Sequence, residues 1–416
     1  MSVPREIKLY RARTILPIAS QPIEDGGLAV LGSEIIDVGK WSDLLAEYST
    51  SVREDLGDVI LMPGMINAHC HLDYTMMRGA LFGGSSFSGW IQRLNAVRHS
   101  LESRDYLDSI GEGLQELRRW GCTTVLNIES FPELVPLLPE SPMRVWWFLE
   151  VMDIRTRLQS SEALAGAIQF FEKAGKAAKE SGGFGISPHA PYTVSRELYE
   201  LSSQYARQYH LPLCTHLAES DEEMEMFSSG EGALYEFLRS IGRSMEDCRG
   251  TTPVQAVVGG GLVPEGTILV HMNHLSEADR QLMGKMPGAY PVVHCPRTHA
   301  FFKRPPFDLQ FFRQNNIPLL LGTDSLASNQ DLNMFAEMRS MAMAFPELEP
   351  ADIVKMVTTA PATALGRSGR LGELSRGALA DFIAFPDPAP THGSHDIEER
   401  VLANRTLPTV WISGQT

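Results

Sequence analysis

Eight strand-length apolar runs lie between about residues 59 and 366, and they constrain the fold of this 416-residue chain more than any other feature. They end near Ile66, Ile128, Leu149, Ile186, Cys214, Val270, Val293 and Leu321. A polar segment and then a stretch of helical periodicity follow each run, for example at 160–181, 195–208 and 331–343, which is typical of βα units with parallel strands. The pattern therefore predicts an α/β fold of the (β/α)₈ TIM-barrel type.

The two ends of the chain carry shorter strand candidates that do not fit a βα unit. Residues 27–31 and 34–39 form one such set, and residues 380–385 and 409–414 form another. Strands this short need partners from elsewhere in the chain. We therefore predict a small β-sandwich domain built from residues 1–60 and 367–416, with the barrel domain at 61–366.

Composition excludes several classes of protein. The formal net charge of −15 repels phosphate backbones and anionic lipids, so we expect neither nucleic acid nor membrane as a partner. No signal-peptide core opens the chain and no run of about 18 uncharged apolar residues occurs, which predicts a cytoplasmic protein. The five scattered cysteines, without a C-x-x-C pair, indicate neither a disulfide framework nor a cysteine zinc site.

Polar side chains recur at or just after the ends of the predicted strands. They are His69, His71, His189, His216, His271, His294 and Asp324. In a barrel of this type the carboxyl ends of the strands form the active-site face. His69 and His71 are two residues apart, so a strand directs both imidazoles to the same side.

This set of side chains is typical of a metal site. Imidazole and carboxylate are the usual ligands of catalytic zinc, which takes three or four of them and keeps one position open. His216 and Asp324 complete such a set with His69 and His71. The sequence therefore predicts one divalent metal ion at the carboxyl ends of the strands.

Six ordered motifs resemble the amidohydrolase superfamily, in particular its branch of deaminases and chlorohydrolases. That branch includes S-adenosylhomocysteine, guanine, cytosine and aminodeoxyfutalosine deaminases. The resemblance spans nearly the whole chain and implies a barrel with a small β-sandwich made from both chain ends. The motifs are P-G-M-I-N-A-H-C-H (63–71), P-H-A-P-Y (188–192), H-L-A-E-S (216–220), H-M-N-H-L (271–275), H-C-P-R (294–297) and L-G-T-D-S-L-A-S-N (321–329).

The resemblance also implies the identity of the metal ligands. Members with two metal ions usually carry a carboxylated lysine at the end of strand four, but residues 183–189 contain no lysine. We therefore expect a single ion, zinc, with iron as the alternative because ligands of this type accept several first-row metals. Its ligands would be His69, His71, His216 and Asp324.

Further catalytic roles follow from the same resemblance. Glu219 would be the proton shuttle, although it could instead be an acidic residue of a first helical turn. His271 would hydrogen-bond the water on the metal, and His189 would face the heterocycle of the substrate. Asp324 could pass a second proton to the departing ammonia.

Two residues bear on the choice of substrate. Trp90 lies in a segment, S-F-S-G-W-I, that resembles an aromatic wall of this branch, or it is simply a core residue. Arg297 lies in H-C-P-R-T-H, which is similar to aminodeoxyfutalosine deaminases. It could bind the benzoate carboxylate of that substrate, or pair with a carboxylate of the protein.

The resemblance implies a hydrolase that deaminates an adenine-containing nucleoside, with aminodeoxyfutalosine as the specific expectation. One alternative is a deaminase of guanine or another azine, or a chlorotriazine hydrolase. Asp324 favours deamination, because some triazine hydrolases lack that aspartate. A metal-free binding protein is a further alternative, disfavoured by the complete ligand set. The expected partner is a small molecule, and a homodimer is expected by analogy.

Overall fold

The computed structural model describes residues 6–84, 86–138, 141–154, 159–173, 182–387 and 396–416, with the backbone alone at 170–173. Its strands are β1 Ile7–Ile15, β2 Ile23–Leu31, β3 Glu34–Lys40, β4 Val52–Asp55, β5 Val59–Pro63, β6 Met65–His71, β7 Cys122–Glu129, β8 Arg144–Val151, β9 Gly183–Pro188, β10 Cys214–Leu217, β11 Ile268–His271, β12 Val292–His294, β13 Leu319–Leu321, β14 Asp324–Ser325, β15 Phe382–Pro386 and β16 Thr409–Trp411.

The α-helices alternate with the middle strands. They are α1 Trp41–Glu47, α2 Phe87–Arg98, α3 Ser103–Arg119, α4 Ser160–Lys173, α5 Arg196–Tyr209, α6 Asp221–Ser229, α7 Ala233–Ser240, α8 Glu277–Met283, α9 Pro296–Phe301, α10 Leu309–Gln314, α11 Met334–Ala344, α12 Pro350–Lys355, α13 Thr359–Ala364 and α14 Ile397–Ala403. Within the described ranges, no helix combines the length and apolarity needed to span a bilayer.

The chain divides into two compact units. One contains Met1–Asn67, Gln115–Val125 and Asn333–Thr416, and the other contains Ala68–Leu114 and Leu126–Leu332. The division expected from the sequence placed residues 333–366 with the barrel instead. In the structure α11 and α12 pack against α14, near the carboxyl end of the chain, which groups them with the chain ends.

The first unit contains a sheet built from both chain ends. Its seven strands run in the order β16-β15-β5-β1-β2-β3, with β4 paired to β1. The ends meet where β15 pairs antiparallel with β5, Phe382 opposite Pro63 and Pro386 opposite Val59. The expected pairing of N-terminal with C-terminal strands therefore occurs in this sheet.

A buried aromatic cluster joins distant parts of that sheet. The ring of Phe382 stacks on Trp411 with centroids 4.8 Å apart, and Tyr10 meets both rings edge-on, at 5.2 Å and 5.8 Å. All three side chains are almost completely buried. Because aromatic pairs add stability beyond the apolar area that they bury, this cluster is a main contact between the two chain ends.

The central strands form two parallel sheets, and all eight predicted runs fall within β6–β13. The sheet orders are β14-β6-β7-β8-β9 and β10-β11-β12-β13. The predicted strand ends differ most from the observed ones at Ile66, the second residue of β6, and at Cys214, the first residue of β10. Pro212 lies just before it and has no N–H to donate to a ladder.

Two links connect those sheets at their edges. Ile186 of β9 forms an isolated parallel bridge with Leu213, immediately before β10. At the other edge, β14 follows β13 along the chain and pairs parallel with β6, with Asp324 opposite Cys70. Strand β14 therefore brings Asp324 beside the two histidines of β6.

The helices predicted at 195–208 and 331–343 correspond to α5 and α11. Helix α5 begins after Ser195, whose side chain accepts a hydrogen bond from the Leu198 N–H, and α11 begins after Asn333, which caps Ala336 in the same way. Such caps satisfy backbone donors that lack a partner within the helix. The third predicted helix, 160–181, corresponds to α4, and its last part, 174–181, lies outside the described residues.

We expect Phe382→Ala to lower the free energy of unfolding by about 3–5 kcal/mol, the usual cost of deleting a buried phenyl ring. The substitution removes the ring contacts of Phe382 with both Tyr10 and Trp411. Urea denaturation followed by circular dichroism measures it. Met343→Ala is the control, since that side chain is 81% exposed, and an equal loss in both variants would contradict the assignment of the aromatic cluster.

Candidate metal centre

Three side chains from β6 and β14 converge near the carboxyl end of β6. The distance to Asp324 Oδ1 is 3.7 Å from His69 Nε2 and 3.9 Å from His71 Nε2. Parallel pairing of β14 with β6 places the carboxylate there. The two-residue spacing thus brings both imidazoles together with the aspartate.

Strand β10 adds a third imidazole. His216 Nε2 lies 3.2 Å from His71 Nε2, and the ring centroids of His216 and His69 are 4.9 Å apart. His216 Nδ1 lies 2.9 Å from the backbone oxygen of His189. A carbonyl beside Nδ1 favours the tautomer protonated there, so the lone pair on Nε2 points at the cluster.

The cluster has the chemistry of a cation site. The ligand atoms of His69, His71 and His216 all lie within 4.8 Å of one another, and the same is true of His69, His271 and Asp324. Lone pairs of neutral imidazoles and a carboxylate that face one point repel one another unless a cation lies among them. These two triads share His69 and together contain the four predicted ligands and His271, so their donor atoms suit a divalent ion with nitrogen and oxygen ligands.

Burial keeps the imidazoles in the form that binds metal. Burial and the neighbouring His69 and His189 rings lower the pKa of His216 to about 3. Burial also lowers the pKa of His71 well below its usual value. Burial alone would raise the pKa of Asp324, but its hydrogen bond and attraction to His69 outweigh that effect and lower it. At neutral pH the site thus presents neutral imidazoles at His71 and His216 and an ionised carboxylate at Asp324.

Glu219 follows β10 and is held at its backbone and its side chain. Its N–H donates to Glu223 Oε2 at 2.6 Å, and its carbonyl accepts from Asn273 Nδ2 at 3.1 Å. Arg304 Nη2 donates to Glu219 Oε1 at 2.8 Å, and His271 Nε2 lies 3.8 Å from the same oxygen. The carboxylate is therefore fixed in orientation next to the ligand cluster.

Burial raises the pKa of Glu219 to about 8. The nearby Arg304 guanidinium opposes that shift, whereas the Asp324 and Glu223 carboxylates add to it. Burial likewise raises the pKa of Glu223 to about 7, despite the backbone N–H groups that it accepts. A carboxyl group that titrates near neutral pH can both take and return a proton.

Backbone strain is concentrated at this face. Ala218, His271, Met272 and Asp324 adopt positive φ values of 50°, 78°, 49° and 56°. Residues other than glycine rarely adopt this conformation, and it costs of order 1–3 kcal/mol at each position. The chain turns sharply after β10 and β11 and at the start of β14, and these turns direct polar groups into one site.

Gly322 allows a close approach between strands. A Cβ atom at this position would lie 2.8 Å from the carbonyl oxygen of His69 and 2.9 Å from its nitrogen. The N–H of Thr323 donates to that same carbonyl at 3.1 Å. The glycine thus allows β6 and the start of β14 to lie side by side.

A cavity of about 320 Å³ opens beside the cluster. Its polar wall includes His189, which lies 2.6 Å from Thr193 Oγ1 through Nδ1 and 3.8 Å from Glu150 Oε1 through Nε2. Its apolar wall includes Trp90, whose ring meets Phe302 edge-on at 5.2 Å. The lining also includes Tyr74, Phe87, Ile91, Leu94, Asn95, Arg98, Met152, Ile154, Tyr192, Phe237, Leu238 and Ile241.

The structure places most of the predicted site residues together. His71, His216, Asp324, Glu219, His271, His189 and Trp90 line the cavity, and His69 lies in the adjoining cluster. Arg297 lies elsewhere: its guanidinium pairs with Asp331, and it lines a second cavity with Arg78 and Asn329. Arg297 therefore pairs with a carboxylate of the protein, which was the alternative interpretation of this residue.

Sequence reasoning missed three residues of this site. Glu150 is the penultimate residue of β8, so the strand-end pattern that found the histidines could also have found it. Arg98 ends α2 and lies over the Tyr74 ring at 5.5 Å. Arg304 lies beyond α9, where neither periodicity nor motif indicates a contact with Glu219.

The chain is similar to known proteins over most of its length. The sequence model of the amidohydrolase family matches residues 60–416 of this chain. An aminodeoxyfutalosine deaminase of Deinococcus radiodurans is 30% identical over 363 residues, which cover 85% of this chain and 84% of the relative. A 5-methylthioadenosine/S-adenosylhomocysteine deaminase of Teredinibacter turnerae is 27% identical over 97% of this chain and 90% of its own length.

Solved structures show the same fold. An adenosine deaminase from Xanthomonas campestris with bound zinc superposes with a TM-score of 0.82 at 25% identity, over 98% of this chain and 92% of that one. Triazine hydrolases are also structural neighbours. The atrazine chlorohydrolase of Arthrobacter aurescens TC1, solved with zinc, has a TM-score of 0.82 at 19% identity over 98% of this chain and 94% of its own.

We expect Asp324→Asn to lower metal content and turnover together while the protein remains folded. The substitution replaces the carboxylate of the predicted ligand set by a neutral amide of the same size. Elemental analysis by mass spectrometry after growth in zinc-supplemented medium measures the loss. Asp108→Asn, on the exposed face of α3, is the control; full metal occupancy in Asp324→Asn would contradict the ligand assignment.

Proposed function

The chain belongs to the amidohydrolase family, and on that premise we propose that it deaminates an adenine-containing nucleoside, with aminodeoxyfutalosine as the specific substrate. It is a hydrolase that acts on carbon–nitrogen bonds, like the deaminases that match it. One observation carries the proposal: the convergent imidazoles and Asp324 lie beside a buried carboxylate, Glu219, at the end of an apolar cavity.

We propose zinc as the metal of this site. The residues that would hold it are His69, His71, His216 and Asp324. A divalent ion bound there supplies Lewis acidity and makes hydroxide available at neutral pH. The zinc-bound structure of the related adenosine deaminase supports the choice of zinc.

The protein's own groups provide the proton transfers. Glu219 would take a proton from the attacking water and deliver it to the ring nitrogen next to the amino-bearing carbon. His271 Nε2, which lies 3.8 Å from Glu219 Oε1 and 3.9 Å from Asp324 Oδ2, would hydrogen-bond the same water. Asp324 would take the remaining proton of the same water and pass it to the amino group. The bond between the ring carbon and that nitrogen then breaks, and ammonia leaves.

His189 supports recognition of the heterocycle. Its Nδ1 lies at hydrogen-bond distance, 2.6 Å, from Thr193 Oγ1. Its Nε2 lies 3.8 Å from Glu150 Oε1, and both residues line the cavity. Burial lowers the pKa of His189 to about 3, so it is a neutral hydrogen-bonding group at pH 7. Such a group can contact a purine nitrogen without adding charge to the site.

The remaining lining supports a nucleoside with a bulky tail. The apolar wall from α2 and α7 offers aromatic and aliphatic surface to rings such as adenine and benzoate. Glu150 can accept hydrogen bonds from sugar hydroxyls. Arg98 is the arginine of this lining, and its planar guanidinium is suited to the benzoate carboxylate for which the sequence suggested Arg297.

We propose that β6–β13, with the short β14 continuing β13, close into one eight-stranded barrel and that the strands of the chain ends form a β-sandwich domain. The bridge between Ile186 and Leu213 and the pairing of β14 with β6 support closure at the two sheet edges. The sheet shared by β5 and β15 supports the composite domain.

A substrate panel tests the proposed function. We expect the zinc-loaded enzyme to release ammonia from aminodeoxyfutalosine with the highest kcat/KM, followed by 5-methylthioadenosine, S-adenosylhomocysteine and adenosine, because the tails of these compounds match the apolar wall to different degrees. Ammonia is measured in a coupled assay with metal content determined on the same sample.

Guanine and a chlorotriazine complete that panel as discriminating substrates. Turnover of either one, without turnover of any adenine nucleoside, would contradict the proposal and favour an azine hydrolase. If a fully zinc-loaded enzyme turned over none of these compounds, that result would also contradict the proposed function. Preference for 5-methylthioadenosine over aminodeoxyfutalosine would retain nucleoside deamination and reject the specific substrate.

We expect Glu219→Gln to retain its metal and to lose at least ~10²-fold in kcat, the range of lost general acid–base catalysis. The amide keeps the size of the side chain and cannot shuttle a proton. Glu225→Gln, exposed on the neighbouring α6, is the matched control and keeps wild-type kcat. Full activity in Glu219→Gln would show that another group moves the proton.

A further inference from the structure

Arg304 makes a buried ion pair with the carboxylate that we assign as proton shuttle. Its Nη2 lies 2.8 Å from Glu219 Oε1, and the two side chains are only 5% and 8% exposed. A charge-assisted hydrogen bond in such surroundings is stronger than one at the surface. The pair therefore fixes the position of the Glu219 carboxylate.

Aromatic rings hold the guanidinium in place. It lies 4.7 Å from the ring centroid of Phe302 and 5.4 Å from that of Phe87. Both rings line the cavity, whereas Arg304 is not among its lining residues. Arg304 thus lies behind the aromatic wall, and its position depends on the packing of that wall.

The start of α2 is fixed to the same segment as Glu219. The backbone N–H groups of Phe87 and Ser88 donate to the Glu222 carboxylate at 2.8 Å and 3.0 Å. Glu222 is three residues beyond Glu219, in the first turn of α6. The ring of Phe87, the guanidinium and the shuttle carboxylate are consequently held by one connected set of contacts.

The contacts of Arg304 indicate a role directed at Glu219. In the part of the chain that the structure describes, Glu219 is the side-chain hydrogen-bond partner of this guanidinium, and Arg304 Nε is buried without an acceptor. An arginine that braced a loop would instead donate to several backbone carbonyls, as Arg243 does to Pro191, Tyr192 and Ser244.

We propose that Arg304 is a positioning residue for Glu219: it holds Oε1 so that Oε2 is free to exchange protons with water and substrate. The inference rests on the proposed function, in which Glu219 is the proton shuttle. Without the guanidinium, the carboxylate could rotate among Glu223, Asp324 and the cavity, and small misplacements of a catalytic group are costly.

The test is a double-mutant cycle with Arg304→Met and Glu219→Gln, assayed on 5-methylthioadenosine. This substrate carries no anionic group, so an arginine that bound a substrate carboxylate would not be detected with it. We expect Arg304→Met to lower kcat by about 10–100-fold, with KM within about twofold of wild type and metal content unchanged. Arg304→Lys, which retains the charge, should recover part of the loss.

The double variant decides whether Arg304 acts through Glu219. Residues that act as a unit lose activity non-additively, so the double variant should be no more than about twofold slower than Glu219→Gln alone. Multiplicative losses would overturn the proposal. So would an unchanged kcat, a raised KM as the main effect, or a loss of metal in Arg304→Met.

The control and the second variant separate folding from positioning. Arg313→Met, on the exposed side of α10, should match the wild type in kcat and thermal unfolding. If Arg304→Met does not fold, Arg304→Lys carries the same cycle with Glu219→Gln. Full activity of Glu219→Gln would refute the shuttle in the proposed function, whereas a slow Glu219→Gln beside a normal Arg304→Met would refute this inference alone.

Discussion

Several lone pairs face one buried point in this protein, and that constraint determines much of the surrounding structure. His71 and His216 present their Nε2 atoms 3.2 Å apart, next to the Asp324 carboxylate, on strands that come from distant parts of the chain. Such an arrangement is unfavourable without a cation, because each group has lost its hydration. Metal binding and correct pairing of β14 with β6 therefore depend on each other.

The sequence predicts this cluster because two regular patterns, the alternation of side chains along a strand and the βα repeat, determine where its residues lie. Alternation along β6 brings His69 and His71 to one side, and the parallel βα pattern brings the ends of all strands to one face. Contacts outside those patterns could not be predicted. The pairing of Arg304 with Glu219 depends on the path of the loop after α9, and that of Arg297 with Asp331 on the path of the loop before α11; no local pattern encodes either path. Domain limits also depended on tertiary packing, which places α11 with the chain ends.

Electrostatics at the site reflect a balance of opposing effects. Burial favours the neutral form of Glu219, and the carboxylates of Asp324 and Glu223 favour it too, whereas Arg304 favours the ionised form. Neither state is strongly disfavoured near neutral pH, which is the condition for repeated proton exchange. The strained backbone at Ala218 and His271 is part of the free energy spent on maintaining this arrangement.

Residues 216–223 combine His216, proposed as a metal ligand, and Glu219, proposed as the proton shuttle, with a helix cap and with the carboxylates that hold the Glu219 backbone and the start of α2. An inserted or deleted residue here would shift the register of all of these at once. Evolutionary changes of loop length that adapt the protein to new substrates are therefore expected in the loops that follow other strands, while this segment keeps a constant length. A sequence search that demands its spacing, and tolerates gaps elsewhere, would be a sensitive way to recognise relatives of this chain.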